Sequence, residues 1–227
     1  MSHSHTVNNH THSFSGTGSN THNHNIFSTD INDLTVSSTG VITLTGNITT
    51  EDSAAAGDDG STAEDGAQSY AGAVVIHGAD LTLTTGGGGA SFSSTINSQA
   101  SQARALTIAN TDGAVSVSGA IGTGTNGALG ALIIGTAEAA GNTGTITLAN
   151  IGTDSAAGAA SIAVGNSRTA TLTLGGVEYF STGTQTWESD DFNLTGADIT
   201  IQTTNSNVTF QDGDAGQIVL SLSLIHI

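Results

Sequence analysis

The octapeptide GADLTLTT at residues 78–85 returns as GADITIQT at residues 196–203. Both phrases begin with Gly-Ala-Asp and then alternate a large apolar residue with a polar one. An apolar residue at every second position is typical of a β-strand with one buried face. The phrase therefore predicts a turn at Gly-Ala-Asp, followed by a strand whose Leu or Ile side chains enter a core while its Thr side chains face outward.

The same alternation recurs along the chain from residue 34 onward. β-Branched Thr and Val suit a pleated surface, and Gly, Asn and Asp between the runs are typical of turns. Helical signals are confined to residues 98–106 and 135–141, each sufficient for a turn or two only. The sequence predicts an essentially all-β protein. The alternating runs are VITLTG (41–46), DLTLTT (80–85), ASFSST (90–95), ALTIAN (105–110), AVSVSG (114–119), TITLAN (145–150), ATLTLG (170–175), DITIQT (198–203) and NVTFQD (207–212).

The two octapeptides belong to a longer internal repeat. When residue 196 is placed on residue 78, Phe210 falls on Phe92 at the same offset of 118, and GTQTW (183–187) falls on GAQSY (66–70) at 117. Farther upstream, GGV at 175–177 matches GNI at 46–48 at an offset of 129, so the first copy of the repeat contains an insertion. The insertion lies within EDSAAAGDDGSTAED (51–65), which carries six of the 19 acidic residues. We interpret this segment as an acidic loop inserted at a turn.

A repeat of short strands has a physical basis in stacked coils. One coil cannot bury its own apolar residues, whereas each coil of a stack covers the Leu, Val and Phe residues of its neighbour. At roughly 20–25 residues a coil, residues 34–221 would make about eight coils in a rod of order 40 Å long. A β-sandwich or barrel is the rival architecture, but it does not predict a long-range phrase repeat.

The charge composition narrows the possible functions. The 227 residues carry a net charge of −17, and the only basic residues are Arg104 and Arg168. Phosphate backbones and anionic membrane surfaces are held by clusters of Lys and Arg. We therefore expect no nucleic-acid binding and no electrostatic attachment to membranes. The chain also has no Cys for a disulfide, and no run of about 18 apolar residues for a membrane-spanning helix.

The order of the phrases resembles the repeat arrays of filamentous-haemagglutinin-like and autotransporter-like bacterial surface proteins. The phrases are ITLTGNITT (42–50), GAQSYAGAVVI (66–76), GADLTLTT, GASFSSTIN (89–97) and ALTIANTDGAVSVSGAIG (105–122). The resemblance covers about residues 40–221. It implies a right-handed parallel β-helix (β-solenoid), an extracellular or bacterial cell-surface location, and a stalk or adhesive role toward a host or environmental glycan or protein. It implies no catalytic residue, because the repeats have none.

The leader, residues 1–33, differs in composition from the rest of the chain, because it is rich in His and Asn and shows no sustained hydrophobic periodicity. We expect this leader to be irregular. Its stretch at residues 8–25 resembles the His-x-His stretches of phage tail fibres and collars. In an extended segment, side chains at i and i+2 point the same way, so each pair could present two imidazoles to one transition-metal ion. A metal-binding, trimeric, tail-fibre-like protein is therefore an alternative function. The candidate ligands are His3, His5, His10, His12, His22 and His24.

A glycan-active β-helix enzyme is the second alternative. Two carboxylates flanking a sugar bond could perform acid–base chemistry. The only dense set near a strand is ESDD at 188–191, which offers Asp190 and Asp191 as candidates. Lyase-type chemistry also needs Arg or Lys beside the substrate carboxylate, and His77 is the only His within residues 34–221. We therefore expect no enzymatic activity.

Two weaker motifs are open to a simpler interpretation. GTGTNG at 122–127 fits G-x-G-x-x-G, but a dinucleotide site needs a helix after it, and a strand-like run ALGALIIG follows. Acidic groups at 58–59, 64–65, 190–191 and 212–214 offer oxygen ligands for Ca²⁺, yet none has the full spacing of a known calcium loop. We interpret these acidic groups as solvated turns and expect no cofactor.

The ends of the sequence suggest that it is a piece of a longer protein. Residues 222–227, LSLIHI, match the translation of one frame of a common transposon sequencing adapter and interrupt the Thr- and Gly-rich texture. We expect them to be an adapter scar, and a genuine last strand is the alternative. No secretion signal is visible after Met1.

Overall fold

The computed structural model describes residues 33–50, 66–110, 113–124, 127–135, 144–153 and 158–213, together with the backbone of a strand at 12–16. Regular structure in these residues is β-strand throughout, with no helix. The strands are β1 His12–Gly16, β2 Leu34–Leu44, β3 Ile48–Thr49, β4 Gln68–Ile76, β5 Leu81–Thr85, β6 Ala90–Phe92, β7 Ile96–Ser98, β8 Leu106–Asn110, β9 Val115–Val117, β10 Leu129–Ile134, β11 Thr145–Leu148, β12 Ala159–Gly165, β13 Thr171–Leu174, β14 Glu178–Ser181, β15 Gln185–Glu188, β16 Asp191–Leu194, β17 Thr200–Thr203 and β18 Val208–Gln211.

All pairings between these strands are parallel, and each strand pairs with strands one circuit away along the chain. The pairings form three ladders. The first contains β1, the starts of β2 and β4, and β6, β9, β11, β13 and β16. The second contains the ends of β2 and β4, β7, bridges at Ile121 and Ile151, β14 and β17. The third contains β3, β5, β8, β10, β12, β15 and β18.

One passage through the three ladders makes one coil, and the described part of residues 34–211 makes seven coils. The strands group into two nine-stranded sheets, because the second ladder is divided between them. Strand β7 joins the first ladder through β4, whereas β14 and β17 join the third ladder through β12. The prediction of an all-β parallel β-helix is confirmed. Strand β1 lies within the predicted leader and pairs with the start of β2, while the other residues of 1–32 lie outside the described part.

The space inside the coils is filled by apolar side chains that stack in register. In the third ladder the fully buried column runs through Leu83, Ile108, Ile134, Val164 and Trp187. Each such side chain contributes about 1.5–3 kcal/mol by its removal from water. Thr and Ser between these residues face outward and are half-buried or exposed. The alternation seen in the sequence therefore predicted the inward and outward faces correctly.

The repeat seen in the sequence does not coincide with the stacking of the coils. In-register pairing places Phe210 in the same column of the third ladder as Leu83 and Trp187. Phe92, the match of Phe210 in the sequence, lies in the first ladder. The offset of the repeat is therefore not a whole number of coils, and the second copy of the repeat is rotated by one ladder.

The acidic segment 51–65 lies outside the described residues, but both of its ends are placed. Thr50 Oγ1 donates a hydrogen bond of 2.5 Å to the Gly66 carbonyl oxygen, so the segment leaves and re-enters the coil at one point. Within the first ladder, the coil from Leu34 to Gln68 is longer than the coil from Gln68 to Ala90. This excess length agrees with the insertion that the repeat revealed.

Candidate functional site

The predicted metal ligands cannot be placed in a site. His3, His5, His10, His22 and His24 lie outside the described residues, and of His12 only the backbone in β1 is described. Among the described residues, no group of three or more His, Cys, Asp or Glu side chains is arranged to hold a metal ion. The same part of the chain contains no helix of the length and apolarity needed to cross a membrane.

The two candidate catalytic carboxylates occupy one exposed corner. Asp190 lies between β15 and β16 and donates its backbone N–H to the Thr169 carbonyl oxygen at 2.8 Å. Asp191 begins β16, in register with Thr171, and is exposed. Ser189, which precedes Asp190, is buried, and its hydroxyl lies within hydrogen-bond distance of the Thr169 and Asp191 carbonyl oxygens, at 2.9 and 2.8 Å. This arrangement is typical of a solvated corner held by its backbone.

The first glycine of GTGTNG lies where two coils approach closely. Gly122 and Gly124 have φ angles of +66° and +71°, and a Cβ atom on Gly122 would clash with the carbonyl oxygen of Gly158 in the next coil. The segment that follows is strand β10, and the described residues contain no helix to face a pyrophosphate. The motif is therefore a corner of the solenoid.

Asx side chains at the corners bind the next coil. In the described part of the chain, an Oδ1 atom accepts a backbone N–H from the following coil in five places, at 2.7–2.9 Å. These carboxylates and amides satisfy backbone donors where the ladders are interrupted, so their role is structural. The pairs are Asp33 with Ala67, Asn47 with Thr82, Asp80 with Ala105, Asn97 with Thr123, and Asn150 with Val177.

A buried polar network forms the base of the acidic segment. Gln68 Nε2 donates to the Thr84 carbonyl oxygen at 2.9 Å, and Gln68 Oε1 accepts the Tyr70 hydroxyl at 2.7 Å. Thr50 and Gly66, which flank the segment, join the network through Thr50 Oγ1. Burial raises the pKa of Tyr70 well above its usual value, because ionisation would place a charge inside the coils. The two residues that flank the acidic segment, Thr50 and Gly66, are therefore held by a buried hydrogen-bond network.

Gln185 is the centre of a second such network. Its Nε2 donates to the carbonyl oxygens of Tyr179 and Gln202 at 3.1 and 2.8 Å, and its Oε1 accepts Trp187 Nε1–H at 3.3 Å. Burial raises the pKa of Tyr179 to about 12, although the Gly176 backbone hydrogen bond lowers it in part. Sequence reasoning matched GAQSY with GTQTW but missed that Gln is the shared functional group. The signal available was a polar residue at an inward position of a strand.

Comparison of the chain with models of known protein families, with curated proteins and with solved structures found no match. The fold and the geometry of its corners are therefore the basis for assigning a function.

Proposed function

We propose that the protein is a non-catalytic structural and adhesive rod, part of a bacterial surface protein of the β-solenoid adhesin type. The observation that carries the proposal is the parallel stacking of three ladders over seven coils in the described residues. At about 4.8 Å per coil the described stack is about 34 Å long. Such a stack suits a spacer that holds a binding element at a distance from its anchor.

The use of polar groups supports a structural role. The Asx oxygens at five corners bind backbone donors of the next coil, and the buried Gln68 and Gln185 satisfy carbonyl oxygens within the stack. Asp190 and Asp191 are both exposed at their corner. An exposed corner does not form a cleft that could enclose a sugar bond between two carboxylates.

The acidic segment 51–65 is the element best suited to contact a partner. Long segments carried by a rigid scaffold are frequent binding elements. Here the scaffold is the buried network of Thr50, Gly66 and Gln68, which holds both ends of the segment together. In this proposal the coils supply reach, and the segment meets a glycan or protein of a host or environmental surface outside the bacterial cell.

Deletion of the acidic segment tests the structural role of the coils separately from the adhesive role of the segment. Deletion of residues 52–63 shortens this coil to the length of the coil that joins Gln68 to Ala90. We expect the shortened chain to keep its β circular dichroism and an elongated solution-scattering profile, and to lose binding to glycan arrays or cell surfaces. A full-length variant with the six acids changed to Asn or Gln is the matched control for charge. A globular scattering profile would contradict the rod, and full binding by the shortened chain would contradict adhesion through the segment.

Turnover assays address the two alternatives. Cleavage of a polysaccharide that is lost in Asp190→Asn or Asp191→Asn would contradict the non-catalytic proposal. Sedimentation together with metal analysis of the full chain tests the tail-fibre alternative, because a monomer without metal excludes the metal-bound trimer. The His-x-His metal sites stay a prediction until that measurement.

A further inference from the structure

The loop between β7 and β8 departs from its sequence-based prediction. The residues 98–106 have a helical signal, yet the chain forms a tight loop in which Ser101 and Ala103 have φ angles of 62° and 45°. Left-handed backbone at non-Gly residues is unfavourable and persists where surrounding contacts impose it, often at binding sites. This loop is therefore a place to look for a function beyond the fold.

Both neighbouring coils hold the backbone of Arg104 in this loop. Its N–H donates to Ser98 Oγ at 2.8 Å, and its carbonyl oxygen accepts the Gly130 N–H of the following coil at 3.0 Å. The adjacent Ala105 N–H donates to Asp80 Oδ1 of the preceding coil at 2.9 Å. The backbone position of Arg104 is therefore fixed by hydrogen bonds to the neighbouring coils.

The guanidinium of Arg104 is only partly satisfied. Its Nη2 donates to Gln102 Oε1 at 2.9 Å, whereas Nε–H is buried without a hydrogen-bond partner in the described part of the chain. Arg104 is one of only two basic residues in a chain with 19 acidic ones. A buried unsatisfied donor is costly, so a natural acceptor for this edge is expected.

The chemistry of the edge points to a carboxylate. Nε–H and one Nη2–H of a guanidinium are parallel donors that match the two oxygens of a carboxylate, whereas the amide of Gln102 offers one oxygen. Gln102 is exposed and can turn away into water. The net charge of −17 strongly repels a polyanionic ligand. A ligand that carries one carboxylate and otherwise neutral hydroxyl groups is repelled much less.

We propose that Arg104 is the binding residue for a single carboxylate of a surface glycan, which displaces Gln102 from the Nε–Nη2 edge of the guanidinium. The inference rests on the proposed adhesive function and gives the coils a ligand site separate from segment 51–65. The amides of Gln99 and Gln102 lie in the same loop and suit sugar hydroxyl groups as hydrogen-bond partners.

Calorimetric titration of the full chain with sialyllactose, which has one carboxylate, and with neutral lactose tests the site. We expect lactose to bind at least about tenfold more weakly, because it lacks charge-assisted hydrogen bonds. Arg104→Gln should lose about tenfold or more, and Arg104→Lys should also lose affinity because it keeps the charge without the fork. Gln102→Ala should bind about threefold more tightly, because the competing amide is gone. Arg168→Gln, the other basic residue, is the matched control and should bind as the unaltered chain does.

Three results would overturn the site. They are absence of sialyllactose binding by the unaltered chain, equal losses in Arg104→Gln and Arg168→Gln, and equal affinity for a peptide with one Glu. Weaker binding by Gln102→Ala would overturn the displacement step. Circular dichroism of each variant shows whether it is folded, and Arg104→Lys replaces Arg104→Gln if the latter does not fold. A chain that adheres to surfaces through segment 51–65 but ignores sialyllactose would overturn the arginine site and leave the proposed function standing.

Discussion

Gln185 reproduces the hydrogen bonding of Gln68 in a different ladder of the solenoid. Each glutamine accepts a hydrogen bond from an aromatic side chain two residues later, Tyr70 OH for Gln68 and Trp187 Nε1–H for Gln185. Each also donates from Nε2 to a backbone carbonyl oxygen across the coil. Gln68 begins β4 in the first ladder, whereas Gln185 begins β15 in the third.

The aromatic residues extend this equivalence into the next coil. Tyr70 stacks on Phe92 with a ring separation of 4.9 Å, and Trp187 stacks on Phe210 at 6.5 Å. The repeat in the sequence therefore records a local unit, made of an inward Gln, an aromatic residue and a Phe one coil later. The second copy of the unit lies one ladder away from the first. Either ladder can hold the unit, because every ladder consists of parallel strands.

Gln68→Leu should destabilise the protein. The substitution leaves the Tyr70 hydroxyl without its acceptor inside the coil and removes the donor to the Thr84 carbonyl oxygen. The Thr84 carbonyl oxygen keeps the Thr50 N–H as a donor, so the Tyr70 hydroxyl is the group left without a partner. One such buried group costs about 1–3 kcal/mol, and we expect a loss of that size in the free energy of unfolding. Urea unfolding followed by circular dichroism measures it. Gln202→Leu, at an exposed position of β17, is the control and should change stability by less than about 0.5 kcal/mol.

Gly165→Ala should cost more than Gly78→Ala. The two glycines have nearly the same φ, +86° and +87°, so the strain of a left-handed alanine is shared, at about 1–2 kcal/mol. A Cβ atom on Gly165 would clash with the carbonyl oxygen of Glu188, whereas nothing lies within 4 Å of one on Gly78. We expect a further loss of about 1–3 kcal/mol for Gly165→Ala. Equal losses in urea unfolding of the two variants would contradict the close approach of the coils.

Thr85→Val should stabilise the protein. Its hydroxyl is buried at the end of β5 and has no hydrogen-bond partner in the described part of the chain. Valine has the same shape and removes the desolvation cost, so we expect a gain of about 1 kcal/mol in the free energy of unfolding. Thr84→Val, at the neighbouring outward position, should be close to neutral. A loss of thermal stability in Thr85→Val would show that the hydroxyl has a bound partner, such as water.

The protein should unfold in alkali as its tyrosines are forced to ionise. Both tyrosines of the chain, Tyr70 and Tyr179, are buried. Burial raises the pKa of Tyr179 from 10.0 to about 12 and that of Tyr70 further, so the unfolded chain loses these protons first. Stability is therefore unaffected by these groups below pH 10 and falls as the pH rises from 10 through 12.

Near-ultraviolet absorbance of tyrosinate checks this prediction when it is recorded together with circular dichroism and the fluorescence of the single Trp187. We expect the tyrosinate signal to appear only with the loss of β-structure. The chain unfolded in urea is the control, in which both tyrosines should titrate near pH 10. A tyrosine that titrates near pH 10 in the folded chain would contradict its burial.

The strands and the faces of each strand were predictable, because period-two alternation depends on local sequence. Leu81 and Leu83 are buried and Thr82 between them is not, as the phrase GADLTLTT predicted. The extra length at 51–65 was also visible, because an insertion changes the offset of a repeat. The loop at Arg104 was not predicted, since its helical propensity is overridden by hydrogen bonds to Ser98 and Gly130.

The sequence by itself determined which residues face the interior, because alternation in a strand assigns every side chain to one of two faces. Only the tertiary structure decided which residues stack on one another. The corners between strands differ in length, from the four glycines at 86–89 to the excess at 51–65, and these lengths decide which ladder each strand joins. Phe92 and Phe210 thus occupy equivalent positions in the sequence repeat yet lie in different ladders. The ladder that a strand joins depends on the total number of residues in all the corners that precede it.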